Sequence, residues 1–330
     1  MSPLTTISHA DDLACLPACP VEPLEPAAFR LTLPSRHLAL QDTGGALLAR
    51  CSLWRARDAS GAPTMTGLIG HYAAADADAG AEVLEHALDW HRADGCERVI
   101  GPMDGSTWHR YRLLTERGTE PIFFLEPNNP DDWTAHFTDA GFVPLATYFS
   151  ALNPDLTRCD PRSEQRRAEL ERDGITMRKI DVERFEAELA AIHELSLEAF
   201  ARNLLYSPIG LDAFLASYTP IRPHLVPELV LLAERGGQLV GFIFGIPDLE
   251  EPARGDPLRT MIVKSMAVHP SCGGNGLGGL LMDDCQQAAR KLGFERTIHA
   301  LMHETNRSRS ISARYGTTIR RYTLYERALK

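Results

Sequence analysis

The sequence predicts an α/β or α+β fold made of two tandem copies, each a mixed, mostly antiparallel sheet with helices on both faces. The chain has 330 residues, which exceeds the usual size of a single hydrophobic core. Strand and helix signals follow a similar order in both halves. A short motif also recurs, because residues 95–98 (Gly-Cys-Glu-Arg) match residues 293–296 (Gly-Phe-Glu-Arg). A repeat of this kind indicates two copies of one fold.

The elements follow from hydrophobic periodicity and from turn residues. In the first half, strands are predicted over 29–33, 37–41, 46–54 and 64–73, a helix over 80–93, a strand over 98–101, and a helix-strand pair over 133–151. In the second half, helices are predicted over 182–201, 211–218, 278–291 and 306–315, and strands over 175–180, 229–234, 239–246, 260–268, 296–302 and 317–328.

The stretch from residue 153 to residue 174 is rich in charge and contains Pro154 and Pro161. Such a segment is typical of a boundary between domains, and its charged residues are compatible with a short helix. We therefore predict a first domain over 1–155, a linker over 156–173 and a second domain over 174–330.

The composition excludes several classes of protein. With 44 acidic against 34 basic side chains the formal charge is -10, which disfavours nucleic acid as a partner and suits an amine substrate. No apolar run is long enough to span a membrane, and the N-terminus has no secretory pattern, so a cytoplasmic monomer or homodimer is expected. The 7 cysteines lack the spacing of a metal site, and no metal is expected.

A glycine-rich loop between a strand and a helix carries the clearest chemical signal. The strand that ends at Pro270 is followed by Ser-Cys-Gly-Gly-Asn-Gly-Leu-Gly over 271–278 and then by an amphipathic helix. Glycines allow positive φ angles and close backbone approach, and a helix N-terminus favours anions. The loop therefore suits a diphosphate, with a plain surface loop as the alternative. A dinucleotide fold and a Walker loop do not fit, because antiparallel-type strands precede this loop and no Gly-Lys-Ser/Thr ends it.

Residues 174–330 resemble the GNAT acyltransferase superfamily. In that family a strand ending in Val-x-Pro leads into a loop of pattern (Arg/Gln)-x-x-Gly-x-(Gly/Ala), and here Val268, Pro270 and the loop match. Gly273 departs from the pattern, since it stands where the family has Arg or Gln. The resemblance implies that acetyl-CoA, or another acyl-CoA, is bound by Met266, Ala267, Val268, Gly273, Gly274, Asn275, Gly276, Leu277, Gly278 and Asn306.

The first copy is expected to have lost this loop. An overlay of the two copies at the spacing of the repeated motif places His71 on His269 and Gly80 on Gly278. It also places Asp76 and Asp78 within the loop, where carboxylates would repel a diphosphate. We therefore predict a degenerate first copy that does not bind CoA.

Acyl transfer to an amine needs a base, a partner for the oxyanion and a proton for the thiolate. Glu304, or His303 beside it, is the candidate base, with surface placement as the alternative. The family resemblance implies a tyrosine acid; Ser312 stands at that position, and Tyr315, in the same short helix, is the candidate. A packed ring is the alternative for Tyr315. His269 is expected to make a structural hydrogen bond.

Asn203 and Tyr206 are expected to line the acceptor pocket, because the family builds that pocket from the connection between its first two helices. The resemblance thus implies an N-acyltransferase that transfers the acyl group by direct attack to an amine of a small molecule or protein. A non-catalytic acyl-CoA-binding or protein-interaction module is the alternative. Turnover of acetyl-CoA with a panel of amines would separate the two.

Overall fold

The fold was obtained as a computed structural model, which describes residues 2–17, 20–57, 65–306 and 308–329. Two compact units emerge from the contacts. The first unit comprises residues 1–116, 127–147 and 322–330, and the second comprises 117–126 and 148–321. Each unit thus takes residues from separate parts of the chain. The linear boundaries at 155 and 174 stay a prediction about the sequence domains.

The helices and strands follow one another in a regular order. The strands are β1 (Leu4–Ile7), β2 (Arg36–Gln41), β3 (Leu47–Arg57), β4 (Met65–Ala74), β5 (Cys96–Gly101), β6 (Leu113–Glu116), β7 (Val143–Asn153), β8 (Ile175–Lys179), β9 (Val230–Arg235), β10 (Gln238–Pro247), β11 (Thr260–Val268), β12 (Arg296–His303) and β13 (Thr317–Ala328). The helices are α1 (Pro26–Thr32), α2 (Ala77–Ala93), α3 (Trp133–Asp139), α4 (Ser163–Arg172), α5 (Phe185–Ala199), α6 (Leu211–Tyr218), α7 (Glu250–Ala253), α8 (Leu277–Lys291) and α9 (Ser308–Ser312).

The sheet of the first unit runs in the order β1-β2-β3-β4-β5-β13. Its neighbouring strands are antiparallel except for β4 and β5, which pair in parallel. The strand beside β5 comes from the far end of the sequence, because Tyr325 lies opposite Gly101. Helix α2 packs an apolar face, including Val83 and Leu88, into the core that also holds Ile69.

The sheet of the second unit runs in the order β7-β12-β11-β10-β9-β8. One pair, β11 with β12, is parallel, and the others are antiparallel. Helices cover both faces of β10. A Cβ built on Gly245 would lie 3.2 Å from Cys285 Sγ of α8, whereas the adjacent Phe244 has its ring 5.1 Å from that of Tyr218 in α6. Neighbouring residues of a strand point to opposite faces, so α8 and α6 lie on opposite sides.

The predicted fold class is confirmed: each unit has a mixed, mostly antiparallel sheet and packed helices. The long helices predicted over 80–93 and 278–291 are observed as α2 and α8. The strand predicted over 29–33 is wrong, because helix α1 occupies this stretch with Pro26 at its first position. Proline suits the first turn of a helix, and the alternation of Phe29, Leu31 and Leu33 with polar residues is too short to distinguish strand from helix.

Candidate functional site

Strands β11 and β12 of the second unit diverge halfway along their length. Their parallel pairing runs from Thr260 opposite Arg296 to Val263 opposite His299. Among the described residues the two strands share no pair beyond this point, although β12 keeps its pairing with β7 on its other edge as far as His303, opposite Tyr148. The part of β11 beyond Val263 is less buried than its beginning, and this region leads directly to the glycine loop. The divergence leaves strand backbone available to a ligand beside the loop.

The glycine loop has the backbone conformation that its sequence predicts. Gly274 and Gly276 have φ angles of 91° and 86°, in the left-handed region that residues with a Cβ avoid. Gly276 is the N-cap residue of α8 and has no side chain to cap the helix, while Asn275 Oδ1 accepts a bond of 3.1 Å from the Leu277 N–H. The other N–H groups of the first turn lack helical partners by geometry, so they suit an anion.

Two arginines from outside the loop reach the start of α8. A Cβ built on Gly276 would lie 2.1 Å from Arg166 Nε, so the Arg166 guanidinium lies directly against this glycine. A Cβ on Gly279 would lie 3.3 Å from Arg314 Nη1 and 3.5 Å from Arg166 Nη1. The absence of a side chain at Gly276 therefore admits the Arg166 side chain as well as the unusual backbone angle.

The Asp160 carboxylate contacts three guanidinium groups beside this loop. Asp160 Oδ2 lies 3.0 Å from Arg162 Nη2, 3.0 Å from Arg314 Nη1 and 3.9 Å from Arg166 Nη1. The hydrogen bond from Arg162 is the largest of the effects that lower the pKa of Asp160 to about 2. The Asp283 carboxylate also lies beside this group, since its Oδ1 accepts a bond of 3.1 Å from the Asp160 N–H. Three guanidinium groups thus face two carboxylates, which leaves one formal positive charge at the positive end of a helix, where an anion would be favourable.

The corresponding strand-helix connection of the first unit is much shorter. Only residues 75 and 76 separate β4 from α2, whereas residues 269–276 separate β11 from α8. Asp76 caps α2, and its Oδ1 accepts a bond of 2.8 Å from the Ala79 N–H. Asp76 and Asp78, predicted at loop positions, therefore lie at the N-cap and in the first turn of α2, because this connection lacks the loop. The degenerate character of the first copy stays a prediction.

A carboxylate occupies the point where β4 and β5 diverge in the first unit. Asp104 Oδ1 accepts a bond of 2.6 Å from the His71 N–H, and His71 has a φ of 46° at a bulge of β4. The His71 ring contacts Ser52 Oγ at 2.9 Å, and Ser52 in turn contacts His37 Nδ1 at 2.8 Å. Burial lowers the pKa of both histidines to about 3 and raises that of Asp104 to about 6.

Glu304 lies just beyond the end of β12, as expected from the sequence. Its carboxylate contacts two guanidinium groups: Oε2 lies 3.4 Å from Arg309 Nη1, and Oε1 accepts a hydrogen bond from Arg321 Nη1. His303 Nδ1 lies 2.9 Å from Thr305 Oγ1. The two guanidinium groups compete for the carboxylate lone pairs that a base would use. The role of Glu304 stays a prediction.

Tyr315 is buried, with an exposed fraction of 3%, in the core on the α8 side of the sheet. Its hydroxyl donates a hydrogen bond of 3.2 Å to Asp283 Oδ1, and burial is the main cause that raises its pKa. Ser312, at the position of the family's tyrosine, is also buried, and its hydroxyl lies 2.7 Å from His299 Nδ1. The assignment of Tyr315 as the acid stays a prediction.

The other predicted contacts lie at the edges of the divergence and on the helix connection. Met266 and Val268 approach Gly278, since a Cβ there would lie 3.9 Å and 3.6 Å from their side chains. Asn306 is exposed, and its Oδ1 accepts a long bond of 3.4 Å from the N–H of residue 308, at the start of α9. Asn203 and Tyr206 form one turn after α5, with a bond of 3.1 Å from the Tyr206 N–H to the Asn203 carbonyl.

His269 makes the structural hydrogen bond expected of it, since its Nδ1 lies 2.7 Å from Ser271 Oγ. Its Nε2 also contacts Glu198 Oε2 at 2.8 Å. Sequence reasoning missed Arg166, which comes from the helix α4 in the predicted linker, and Arg314, which lies just past the end of α9. The only available signal was the missing Arg or Gln at Gly273, which leaves the loop in need of a donor from elsewhere.

Comparison with known proteins agrees with this geometry. Residues 190–313 match the model of the acetyltransferase (GNAT) family, so this part of the chain belongs to that family. The predicted enzyme class, an N-acyltransferase, is confirmed by the match. A relative from Caulobacter vibrioides (strain NA1000 / CB15N), named bacterial ceramide synthase, is 25% identical over 297 residues, which cover 81% of this chain and 77% of the relative.

Solved structures extend the likeness to the whole chain. A tandem GNAT protein from the clavulanic acid biosynthesis pathway superimposes with a TM-score of 0.52 at 14% identity and covers 99% of each chain. A GCN5-related N-acetyltransferase from Anabaena variabilis ATCC 29413 gives a TM-score of 0.55 at 6% identity, over 99% of this chain and 73% of that one. At these identities the comparison shows the fold alone, and it confirms two GNAT-like domains in tandem.

No helix within the described residues is long and apolar enough to cross a membrane. No group of three or more histidine, cysteine, aspartate or glutamate side chains within them is arranged to hold a metal ion.

Proposed function

We propose that the second unit is an acyl-CoA-dependent N-acyltransferase, with acetyl-CoA or another acyl-CoA as donor and an amine of a small molecule or protein as acceptor. The glycine loop ahead of α8 carries this proposal. Its positive φ angles at Gly274 and Gly276, together with the Arg166 and Arg314 guanidinium groups, fit a diphosphate. The charge surplus around Asp160 supports the same conclusion, because an anion would balance it.

The residues on either side of the strand divergence have distinct roles in this proposal. The main chain of Met266, Ala267 and Val268 holds the pantetheine arm along β11. Glu304 accepts the proton that the attacking amine loses, and Tyr315 supplies a proton to the departing thiolate. Neither proton transfer requires a covalent acyl-enzyme, so the amine attacks the thioester directly.

The first unit has a different role in this proposal, since we assign it no acyl-CoA. Three observations support this: its strand-helix connection lacks a glycine loop, Asp76 already caps α2, and Asp104 fills the divergence of β4 and β5. The carboxylates of Asp76 and Asp104 would oppose a phosphate and an oxyanion. The first unit therefore has a scaffolding role.

A long-chain amine is a second candidate for the acceptor. Leu204, on the connection between α5 and α6 that includes Asn203 and Tyr206, is 41% exposed, and Leu211, the first residue of α6, is 40% exposed. Exposed leucines beside a predicted acceptor pocket favour a hydrocarbon chain on the substrate. The name of the Caulobacter relative, a ceramide synthase, points in the same direction.

Release of the CoA thiol tests the proposal. The full chain is incubated with acetyl-CoA and with a long-chain acyl-CoA, each against a panel of short amines, polyamines, amino acids and long-chain amino alcohols. We expect amine-dependent thiol release, and a KM that falls with chain length would select the long-chain acceptor. Calorimetric binding of CoA without turnover of any amine would instead favour the acyl-CoA-binding module.

A further inference from the structure

Lys264 lies at the point where β11 leaves β12. The last parallel pair is Val263 with His299, and Lys264 is the next residue of β11. The register between β10 and β11 also shifts here, because Ser265 lies opposite Phe244 while Val263 lies opposite Gly245. Lys264 is therefore the extra residue of a β-bulge, a feature that redirects a side chain at the end of strand pairing.

The Lys264 ammonium group has an unusual set of neighbours. Its Nζ donates a bond of 3.2 Å to the Tyr218 hydroxyl and lies 4.3 Å from the centre of the Tyr218 ring. Tyr218 is 4% exposed and packs against Phe244, so Lys264 lies against an apolar part of the sheet. Lys264 itself is half-buried. Among the described residues, no carboxylate lies within ion-pair distance of it.

This arrangement is costly unless negative charge reaches the ammonium group at some stage. A partly buried cation loses hydration, and a neutral hydroxyl with an aromatic ring restores only part of that energy. Other cations of the second unit, such as Lys179 and Arg178, have a carboxylate partner within 2.8 Å. Lys264 instead lies at the bulge beside the diverging strands, where an acyl donor lying along β11 would bring its thioester.

The first unit offers an internal comparison. Its bulge, also located shortly after the last parallel pair of Leu68 with Ile100, carries a carboxylate oxygen of Asp104 on the His71 N–H at 2.6 Å. The bulge of the first unit thus holds a carboxylate oxygen at the point where its parallel strands diverge. At the corresponding bulge of the second unit lies the Lys264 ammonium group, and no carboxylate of the described residues is within ion-pair distance of it.

We propose that Lys264 stabilises the oxyanion that forms during acyl transfer, an inference that rests on the proposed function of the second unit. As the amine nitrogen bonds to the thioester carbon, the carbonyl electron pair moves to oxygen, and the Lys264 ammonium faces this charge. The carbonyl then re-forms as the carbon-sulfur bond breaks, the amine gives one proton to the base, and the thiolate gains one proton. Tyr218 is a positioning residue that holds the ammonium group at the bulge.

Lys264→Met tests this role in the full chain with acetyl-CoA and the amine identified as acceptor. Because one oxyanion partner contributes about 10²-fold to 10³-fold to kcat, we expect a loss of that size with an unchanged Kd for CoA. Lys264→Arg should restore part of the rate, since it keeps the charge. Tyr218→Phe should lower kcat by roughly 10-fold and leave KM near wild type, because the ammonium group loses its anchor and keeps its charge. Lys291→Met, at the exposed end of α8, is the control.

Three results would overturn the assignment, each in a different way. An unchanged kcat in a folded Lys264→Met variant removes Lys264 from the reaction. A raised KM for the amine at unchanged kcat shows that Lys264 binds an anionic group of the acceptor instead. A wild-type protein that binds CoA but acylates no amine refutes the proposed function, and the oxyanion role with it. Thermal unfolding of each variant shows whether a rate loss reflects the fold.

Discussion

Alanine at Gly276 and alanine at Gly274 form a matched pair of perturbations of the loop. Both glycines have a left-handed backbone, with φ of 86° and 91°, so either substitution costs about 1–2 kcal/mol of conformational strain. Their surroundings differ. A Cβ on Gly276 would lie 2.1 Å from Arg166 Nε, whereas a Cβ on Gly274 meets nothing within 4 Å. The difference between the two variants therefore isolates the contact with Arg166.

The expected magnitude follows from what Arg166 does for a phosphate. Alanine at position 276 forces the guanidinium group away from the start of α8, which removes a charge-assisted hydrogen bond of about 1.5–3 kcal/mol. The Kd for CoA should therefore rise roughly 10-fold to 150-fold in Gly276→Ala and much less in Gly274→Ala. Gly276→Asp should bind still more weakly, by a few kcal/mol in total, since its carboxylate also repels the diphosphate.

Titration calorimetry with CoA measures these affinities, and urea unfolding measures the strain that both variants share. Arg166→Gln should reproduce the affinity loss of Gly276→Ala without the strain. Arg167→Gln, on the same helix but paired with Asp284 at 2.5 Å, is the control and should bind CoA like the wild type. Equal affinity losses in Gly274→Ala and Gly276→Ala, or normal binding by Arg166→Gln, would show that the arginine does not contact the phosphates.

Three further results are expected. If the Tyr315 hydroxyl gives the proton to the departing thiolate, Tyr315→Phe should lower turnover by about 10²-fold with little change in the Kd for CoA. A rate near wild type would show that this hydroxyl only makes the structural hydrogen bond to Asp283. Glu304→Gln should lose rate at low pH and regain it as the amine deprotonates in solution, and a pH-independent loss would argue against a base. Burial lowers the pKa of His299 from its ordinary value of 6.5 to about 4. Between these two pH values the imidazole binds a proton in the unfolded chain and stays neutral in the folded chain. Stability in urea should therefore fall by up to about 1.4 kcal/mol per pH unit on acidification from pH 6.5, and His299→Gln should flatten this slope.

Local patterns in the sequence were sufficient to predict the glycine loop and the helix that follows it. Gly274, Gly276 and the apolar spacing of α8 are encoded within about 20 consecutive residues, and each acts through the backbone of its own segment. The strand ahead of the loop was predicted for the same reason. The short helix α1 was not predicted, because three alternating apolar residues, Phe29, Leu31 and Leu33, also suit a strand.

Contacts between distant segments could not be predicted from such local patterns. Arg166 reaches Gly276 from a helix more than a hundred residues earlier, and a charged helix in a linker gives no sign of which side chain meets the loop. The division into units depends on strand pairing of the same long range, since Tyr325 lies opposite Gly101. The bulge at Lys264 is a matter of register between two strands, and the sequence around it contains no glycine or proline that would mark it.

The position of β13 bears on how the protein forms during synthesis. Because Tyr325 to Ala328 complete the sheet beside β5, the first unit lacks this strand until the ribosome has translated all of the second. In the meantime the free edge of β5 presents unpaired backbone groups, a surface on which nascent chains associate wrongly. Variants that slow the arrival of β13, or that remove it, should therefore aggregate through the first unit although every altered residue follows the second unit in the sequence.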